Sequence, residues 1–179
     1  PIVAKGFSNM GIRCIQGYGL TECSPIATVE TDRMRAIGSV GVPMPGTEIV
    51  IKDQNDEGIG EICIKSPSIM VGYLDEKDNA KAFDEEGYFR TGDLGYMDKK
   101  GFLYISGRKK NVIVTKNGKN IFPEELEALS NASPLVKESL VYGAMDEITG
   151  DEIVSVKIVP DHDYIEANYP NGLSEQELT

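Results

Sequence analysis

Residues 101–129, GFLYISGRKKNVIVTKNGKNIFPEELEAL, change character at Gly107. Before it, Phe102-Leu103-Tyr104-Ile105 pairs back onto Gly95-Tyr96-Met97 across the turn formers Asp98-Lys99-Lys100-Gly101, which predicts a hairpin. After it, Val112-Ile113-Val114 predicts a strand, Lys116 to Asn120 a turn, and Pro123 to Leu129 a helix. Proline at the first helical position and acids in the first turn suit the positive end of the helix dipole. Phe122, Leu126 and Leu129 fall at i, i+4 and i+7, which predicts one buried face. Two strands, Glu138–Tyr142 and Glu152–Val159, follow, with Val154, Val156 and Ile158 on one face of the second. A domain boundary is therefore expected near Ser106–Lys110.

Working outward, residues 48–65 read as another hairpin. Ile49 and Ile51 alternate with Glu48, Val50 and Lys52, Asp53 to Gly58 is turn-rich, and Ile62 and Ile64 resume the alternation. Pro1 to Met10 predicts a helix with Val3 and Phe7 four apart, and Glu76 to Phe83 a second short one. Ile12 to Ile15 predicts a short strand that ends in Gln16-Gly17-Tyr18-Gly19. Strand–turn clusters thus precede Gly107 and a compact mixed unit follows it, so the fold class is α+β.

Composition excludes several kinds of chemistry. The 179 residues carry 18 Lys+Arg against 29 Asp+Glu, a net charge of −11 that repels nucleic acid and anionic membrane surfaces. Three cysteines without CxxC spacing, Cys14, Cys23 and Cys63, argue against a disulfide scaffold or a zinc site and suit a reducing cytosol. The single histidine, His162, lies between two aspartates in what reads as a solvated loop, a poor position for a triad base. A hard cation such as Mg²⁺ needs only oxygen ligands and stays open. Apolar runs are too short for a membrane span, and the opening residues show no basic n-region followed by an apolar h-region, so no secretory signal is expected.

Three stretches can carry chemistry. In Gln16-Gly17-Tyr18-Gly19-Leu20-Thr21-Glu22, glycines allow close backbone approach. Tyr18 could offer its flat face to a purine, Thr21 a hydroxyl to a phosphate, and Glu22 a hard oxygen to Mg²⁺. A plain strand-to-loop turn around a buried tyrosine is the alternative. In Phe89-Arg90-Thr91-Gly92-Asp93-Leu94, the Asp93 carboxylate could accept both hydroxyls of a ribose, or could simply bond its own turn. In Gly107-Arg108-Lys109-Lys110, the Arg108 fork could reach ribose or phosphate oxygens, or the run could be a solvated basic turn.

Order and spacing favour the chemical readings. From Gln16 to Val159 the chain resembles the adenylate-forming superfamily of acyl-CoA synthetases, nonribosomal-peptide adenylation domains and luciferases. The family's Y-G-x-T-E core stands as Tyr18-Gly19-Leu20-Thr21-Glu22, and its G-E-[IL] strand as Gly60-Glu61-Ile62. Its [YF]-R-T-G-D motif stands as Phe89 to Asp93, and its G-R-x-[DK] hinge as Gly107 to Lys110. Within the superfamily, Gln16 to Glu22 and Lys116 to Asn120 are most similar to bacterial long-chain fatty-acid–CoA ligases.

The resemblance implies a β-rich end of a large adenylating domain, with a β-barrel-like subdomain, over residues 1–107, then a hinge and small α+β domain over 108–179. It implies that an ATP-dependent ligase converts a carboxylic acid to acyl-adenylate and passes it to coenzyme A, in the cytoplasm, with peripheral membrane contact compatible. Tyr18 would stack on adenine with Gly19 beside it, Thr21 would contact the α-phosphate, and Glu22 would bind Mg²⁺. Asp93 and Arg108 would hold the ribose, Lys110 would be the hinge, and Gly118 would lie on the loop nearing the pantetheine path. The family's Ser/Thr/Gly-rich phosphate loop and late Gly-Lys lysine have no counterpart here. The chain is therefore expected to be an internal fragment that is inactive alone. An aryl-CoA ligase and a peptide-synthetase adenylation domain are the readings within the superfamily that compete. A non-catalytic β-rich interaction module is the one outside it.

Overall fold

A computed structural model describes residues 2–116, 118–146 and 150–170. Pro1 of the predicted first helix and Asn117 of the predicted turn lie outside them. The chain divides between Lys109 and Lys110 into two compact units.

The first unit begins with α1 (Ile2–Asn9), then β1 (Gly17–Tyr18), β2 (Thr28–Val29) and β3 (Val42–Pro43), which form a three-stranded sheet in that order. A larger antiparallel sheet follows, built from β4 (Glu48–Lys52), β5 (Gly60–Lys65), β6 (Phe89–Met97) and β7 (Leu103–Arg108), with α2 (Glu76–Ala82) between β5 and β6. Val40 donates its N–H to the Leu103 carbonyl and Leu103 donates to that of Gly41, each at 2.9 Å, so the two sheets meet at the start of β7.

The hairpin predicted over 48–65 is present, with Ile49 opposite Ile64 and Ile51 opposite Ile62. Strand β5 is buried from Gly60 to Ile64, so side chains on both of its faces are covered, and β4 and β6 pair with its two edges. Ile62, Ile64 and Leu103 make the core with Cys23 and Ala27, and Tyr18, Leu20, Val40 and Ile69 pack against it. Gly95 marks a register shift between β6 and β7, and a Cβ there would sit 2.1 Å from the Tyr104 carbonyl oxygen. On β6 and β7, Tyr96 and Tyr104 stack with ring centroids 4.8 Å apart.

Glu61 is, with Glu30 and Asp93, one of the buried carboxylates of this unit, and it is 4% exposed. Its Oε2 accepts from Arg90 at 2.6 Å and from Lys109 at 2.9 Å. Burial alone would raise its carboxyl, but these two cations overcome that and hold it below the usual carboxylate range.

The second unit contains β8 (Ile113–Val114) and β9 (Asn120–Ile121), a paired ribbon, then α3 (Pro123–Ser130). The long hairpin of β10 (Val136–Met145) and β11 (Glu152–Pro160) follows, and α4 (His162–Asn168) comes last. Ile113, Phe122 and Val141 are its buried apolar residues. A cavity of about 490 Å³ lies among β8, α3 and the hairpin, lined in part by Asn111, Glu124, Glu127 and Glu152.

Three expectations need correction, and the alternative of a turn at Gly92-Asp93 falls away. Ile12–Ile15 is not a strand; Ile12 and Ile15 are 51% and 56% exposed, and the pairing with β2 begins only at Gly17. Gly92-Asp93 is no turn, because β6 runs unbroken through both. Leu129 is 73% exposed, so the apolar face of α3 ends at Leu126. His162 is in no loop; it opens α4, whose N-cap Asp161 accepts the Tyr164 N–H.

Two measurements check this description. Leu103→Ala should cost about 2–5 kcal/mol in urea unfolding, whereas Leu129→Ala should stay within about 0.5 kcal/mol of the parent. Because the folded-state value of Glu61 is depressed, the stabilisation it provides is present near neutral pH and is lost as pH falls through the acid range. Glu61→Gln should therefore lower stability at about pH 7 and flatten its decline toward about pH 3.

Candidate functional site

Tyr18 ends β1, Asp93 lies mid-β6, and Arg108 closes β7, all in the first unit. The sheet brings them together. Asp93 and Arg108 are direct antiparallel partners. The Tyr18 hydroxyl donates to Asp93 Oδ2 at 2.5 Å across 75 residues of chain. An Arg108 guanidinium nitrogen lies 2.8 Å from Asp93 Oδ1 and donates to the Thr91 carbonyl at 3.2 Å. The Asp93 N–H donates to Thr91 Oγ1, whose hydroxyl donates to the Ile62 carbonyl. The carboxylate is thus fixed from both sides and along its own strand.

Asp93 is 8% exposed, and burying a carboxylate is costly unless it is paired and hydrogen-bonded. Burial, and then the bond to Asp93, push the Tyr18 hydroxyl well above its ordinary value, so it remains a donor. Two protein donors use about half of the four lone-pair sites that a carboxylate offers. Asp93 therefore keeps acceptor capacity for two further hydroxyls. The Arg108 side chain is 50% exposed and can reach a ligand without leaving its partner.

Thr21 and Glu22 lie on a single 3₁₀ turn, Thr21–Cys23, after β1. Thr21 is exposed, and its hydroxyl has no partner among the described residues. Glu22 is half-buried, and its Oε1 accepts the Tyr73 hydroxyl at 2.8 Å. Among the described residues no three His, Cys, Asp or Glu side chains converge as a metal cage. One carboxylate with one oxygen engaged and the other open fits a hard cation that takes its remaining ligands from phosphate and water. Gly19 has a structural reason of its own: a Cβ there would lie 1.8 Å from the Pro25 carbonyl oxygen. Burial pushes the Cys23 and Cys63 thiols up to about 11, so neither is a nucleophile at neutral pH.

The remaining candidates lie in the second unit. Lys110 is its first residue, exposed, and Gly118 is an exposed glycine at φ +74° in the turn before β9. Sequence reading missed Tyr73, which no periodicity marks, and Lys109, whose place in a basic run hid its pairing with Glu61.

Tyr18→Phe removes one charge-assisted donor from a buried carboxylate. It should cost about 1.5–3 kcal/mol in urea unfolding. A change under about 0.5 kcal/mol would mean that water replaces the hydroxyl.

Comparison with known proteins gives this geometry a context. Residues 2–74 match the family model described as AMP-binding enzyme. The chain is 36% identical over 159 residues to a long-chain-fatty-acid–CoA ligase of Escherichia coli, covering 85% of this chain and 28% of the relative. It is also 36% identical over 157 residues to the indoleacetate–CoA ligase of Aromatoleum aromaticum, covering 84% of this chain and 30% of the relative. Among solved structures, it is similar to the o-succinylbenzoate–CoA synthetase of Bacillus subtilis in complex with its acyl-adenylate intermediate. That match has a TM-score of 0.82 and 29% identity, over 98% of this chain and 38% of that one. The same enzyme in complex with ATP and magnesium matches at a TM-score of 0.80 and 28% identity, over the same 98% and 38%. The chain therefore spans under a third of the length of these curated relatives. With its strand-rich mixed fold and the motifs from Tyr18 to Arg108, the chain belongs to the AMP-binding, adenylate-forming family of acyl- and aryl-CoA ligases.

Proposed function

We propose that the protein to which this chain belongs is an AMP-forming acid–CoA ligase acting on long-chain fatty acids. The observation that carries the reading is the convergence of Tyr18 and Arg108 on the buried Asp93 carboxylate. In this reading residues 1–107 belong to the large adenylating domain and 108–179 to the hinge and small domain.

A free carboxylate is a poor acyl donor. Its attack on the α-phosphorus of ATP releases pyrophosphate and gives an acyl-adenylate with a good leaving group. The thiol of coenzyme A then attacks the acyl carbonyl and AMP departs. Tyr18 packs against adenine, Asp93 accepts from the ribose hydroxyls, and Arg108 donates to ribose or phosphate oxygens. The exposed Thr21 hydroxyl donates to an α-phosphate oxygen. Glu22 holds Mg²⁺, which when bound offsets the charge that gathers on the phosphates. Lys110 is the hinge position, and Gly118 belongs to the loop that approaches coenzyme A.

The acyl group is the finer half of the proposal. Similarity to fatty-acid ligases supports a long chain, and equal identity to the indoleacetate enzyme supports an aryl acid as the second reading. Thioester formation by the whole protein with palmitate, indoleacetate and o-succinylbenzoate separates them; preference for palmitate by kcat/KM is expected, and preference for either aryl acid would overturn it. For the nucleotide, calorimetry with AMP should show about tenfold or greater loss for Asp93→Asn, as a charged acceptor becomes a neutral one. Unchanged AMP affinity would remove the ribose role.

A further inference from the structure

Glu22 is held by more than its own turn. Its carbonyl accepts the Met70 N–H at 2.8 Å, and its Oε1 accepts the Tyr73 hydroxyl, also at 2.8 Å. Tyr73 is itself clamped by one side chain. Asn79 Oδ1 accepts the Tyr73 N–H at 2.6 Å, and Asn79 Nδ2 donates to the Tyr73 carbonyl at 2.9 Å. Asn79 sits on α2, whose N-cap Asp75 accepts the Lys77 N–H. A Cβ at Gly72 would approach Asn79 Oδ1 to 2.9 Å, so glycine leaves room for the clamp.

Apolar packing does not account for this arrangement. Val71 and Leu74, which flank the clamp, are fully exposed, and Tyr73 is 40% exposed. What fixes the tyrosine is polar: two bonds at its backbone and one at its hydroxyl. The third ends on the carboxylate that the reading above gives to the cation.

We propose that Tyr73, clamped by Asn79, is a positioning residue that fixes Glu22 Oε1 and so presents Oε2 to a divalent cation; the inference rests on the metal role of Glu22 proposed above. A glutamate has three side-chain torsions to order when it binds an ion. A hydrogen bond already made to one oxygen supplies part of that ordering beforehand. Tyr73 touches no reacting atom in this scheme and acts through Glu22.

The test uses Tyr73→Phe, which keeps the ring, and Asn79→Ala, which leaves the hydroxyl but loosens it. Two readouts are taken on the full chain: ¹³C relaxation of the Glu22 side chain without metal, and Mn²⁺ binding by electron paramagnetic resonance with ATP present. Tyr73→Phe should make the Glu22 side chain mobile and weaken Mn²⁺ binding about tenfold. Asn79→Ala should move both readouts the same way by less. In a Glu22→Gln background, Tyr73→Phe should add nothing. If Tyr73→Phe leaves Glu22 ordered and Mn²⁺ binding intact while Glu22→Gln weakens it, the positioning role is overturned and the metal role stands. If Glu22→Gln does not alter Mn²⁺ binding, or no Mn²⁺ binds at all, the metal role falls and the inference falls with it.

Discussion

A carboxylate taken out of water must be given donors, and in this molecule that requirement is met at Asp93 by residues from two other strands. Tyr18 arrives from the small sheet and Arg108 from the strand beside Asp93. The arrangement constrains the first unit in a way that apolar packing does not. Ile62, Ile64 and Leu103 could tolerate small shifts, but a hydrogen bond of 2.5 Å to a buried charge fixes β1 against β6 within a few tenths of an ångström. Burial together with that bond keeps the tyrosine hydroxyl a donor, and the turn of Thr21 and Glu22 follows closely on that strand. A group suited to recognising a nucleoside is therefore also a fastening of the fold.

The basic run Arg108-Lys109-Lys110 shows how neighbours divide such duties. Arg108 serves Asp93, and Lys109 serves Glu61 together with Arg90. Lys110 begins the second unit. Three cations that look alike in one dimension thus have three different surroundings. The end of the strand lies between them: Arg108 is the last residue of β7, paired with Asp93, and Lys109 opens the 3₁₀ turn that follows, from which it reaches Glu61.

Legibility from sequence followed the physics of each signal. The 48–65 hairpin was readable because alternating isoleucines and a turn-rich interval each point to the same pairing. The helix after Phe122 was readable because Pro123 and two acids mark its start. Its end was readable to within one residue, but the extent of its buried face was not, because Leu129 keeps the periodicity and is nonetheless exposed. A turn at Gly92-Asp93 was the alternative that order and spacing set aside; β6 runs through it, with Asp93 paired to Arg108 of β7 and the register to β5 shifting across it. Ile12–Ile15 had the residues of a strand and no strand partner among the described residues to complete it. Tyr18, Asp93 and Arg108 were singled out by motif; that two of them would meet opposite oxygens of the third is a matter of sheet register, which local sequence does not encode. Tyr73 left no trace, because its role depends on one hydroxyl meeting a residue 51 positions earlier.

The three cysteines differ in a way that has a practical side. Cys23 and Cys63 are sealed in the core with thiols that stay protonated, and Cys14 alone is partly open to solvent. A maleimide dye or spin label added to the folded, unaltered chain would therefore attach at one place, four residues before Tyr18. The polypeptide comes with its own reporter handle beside the nucleoside motif, and no cysteine has to be engineered in or out to use it.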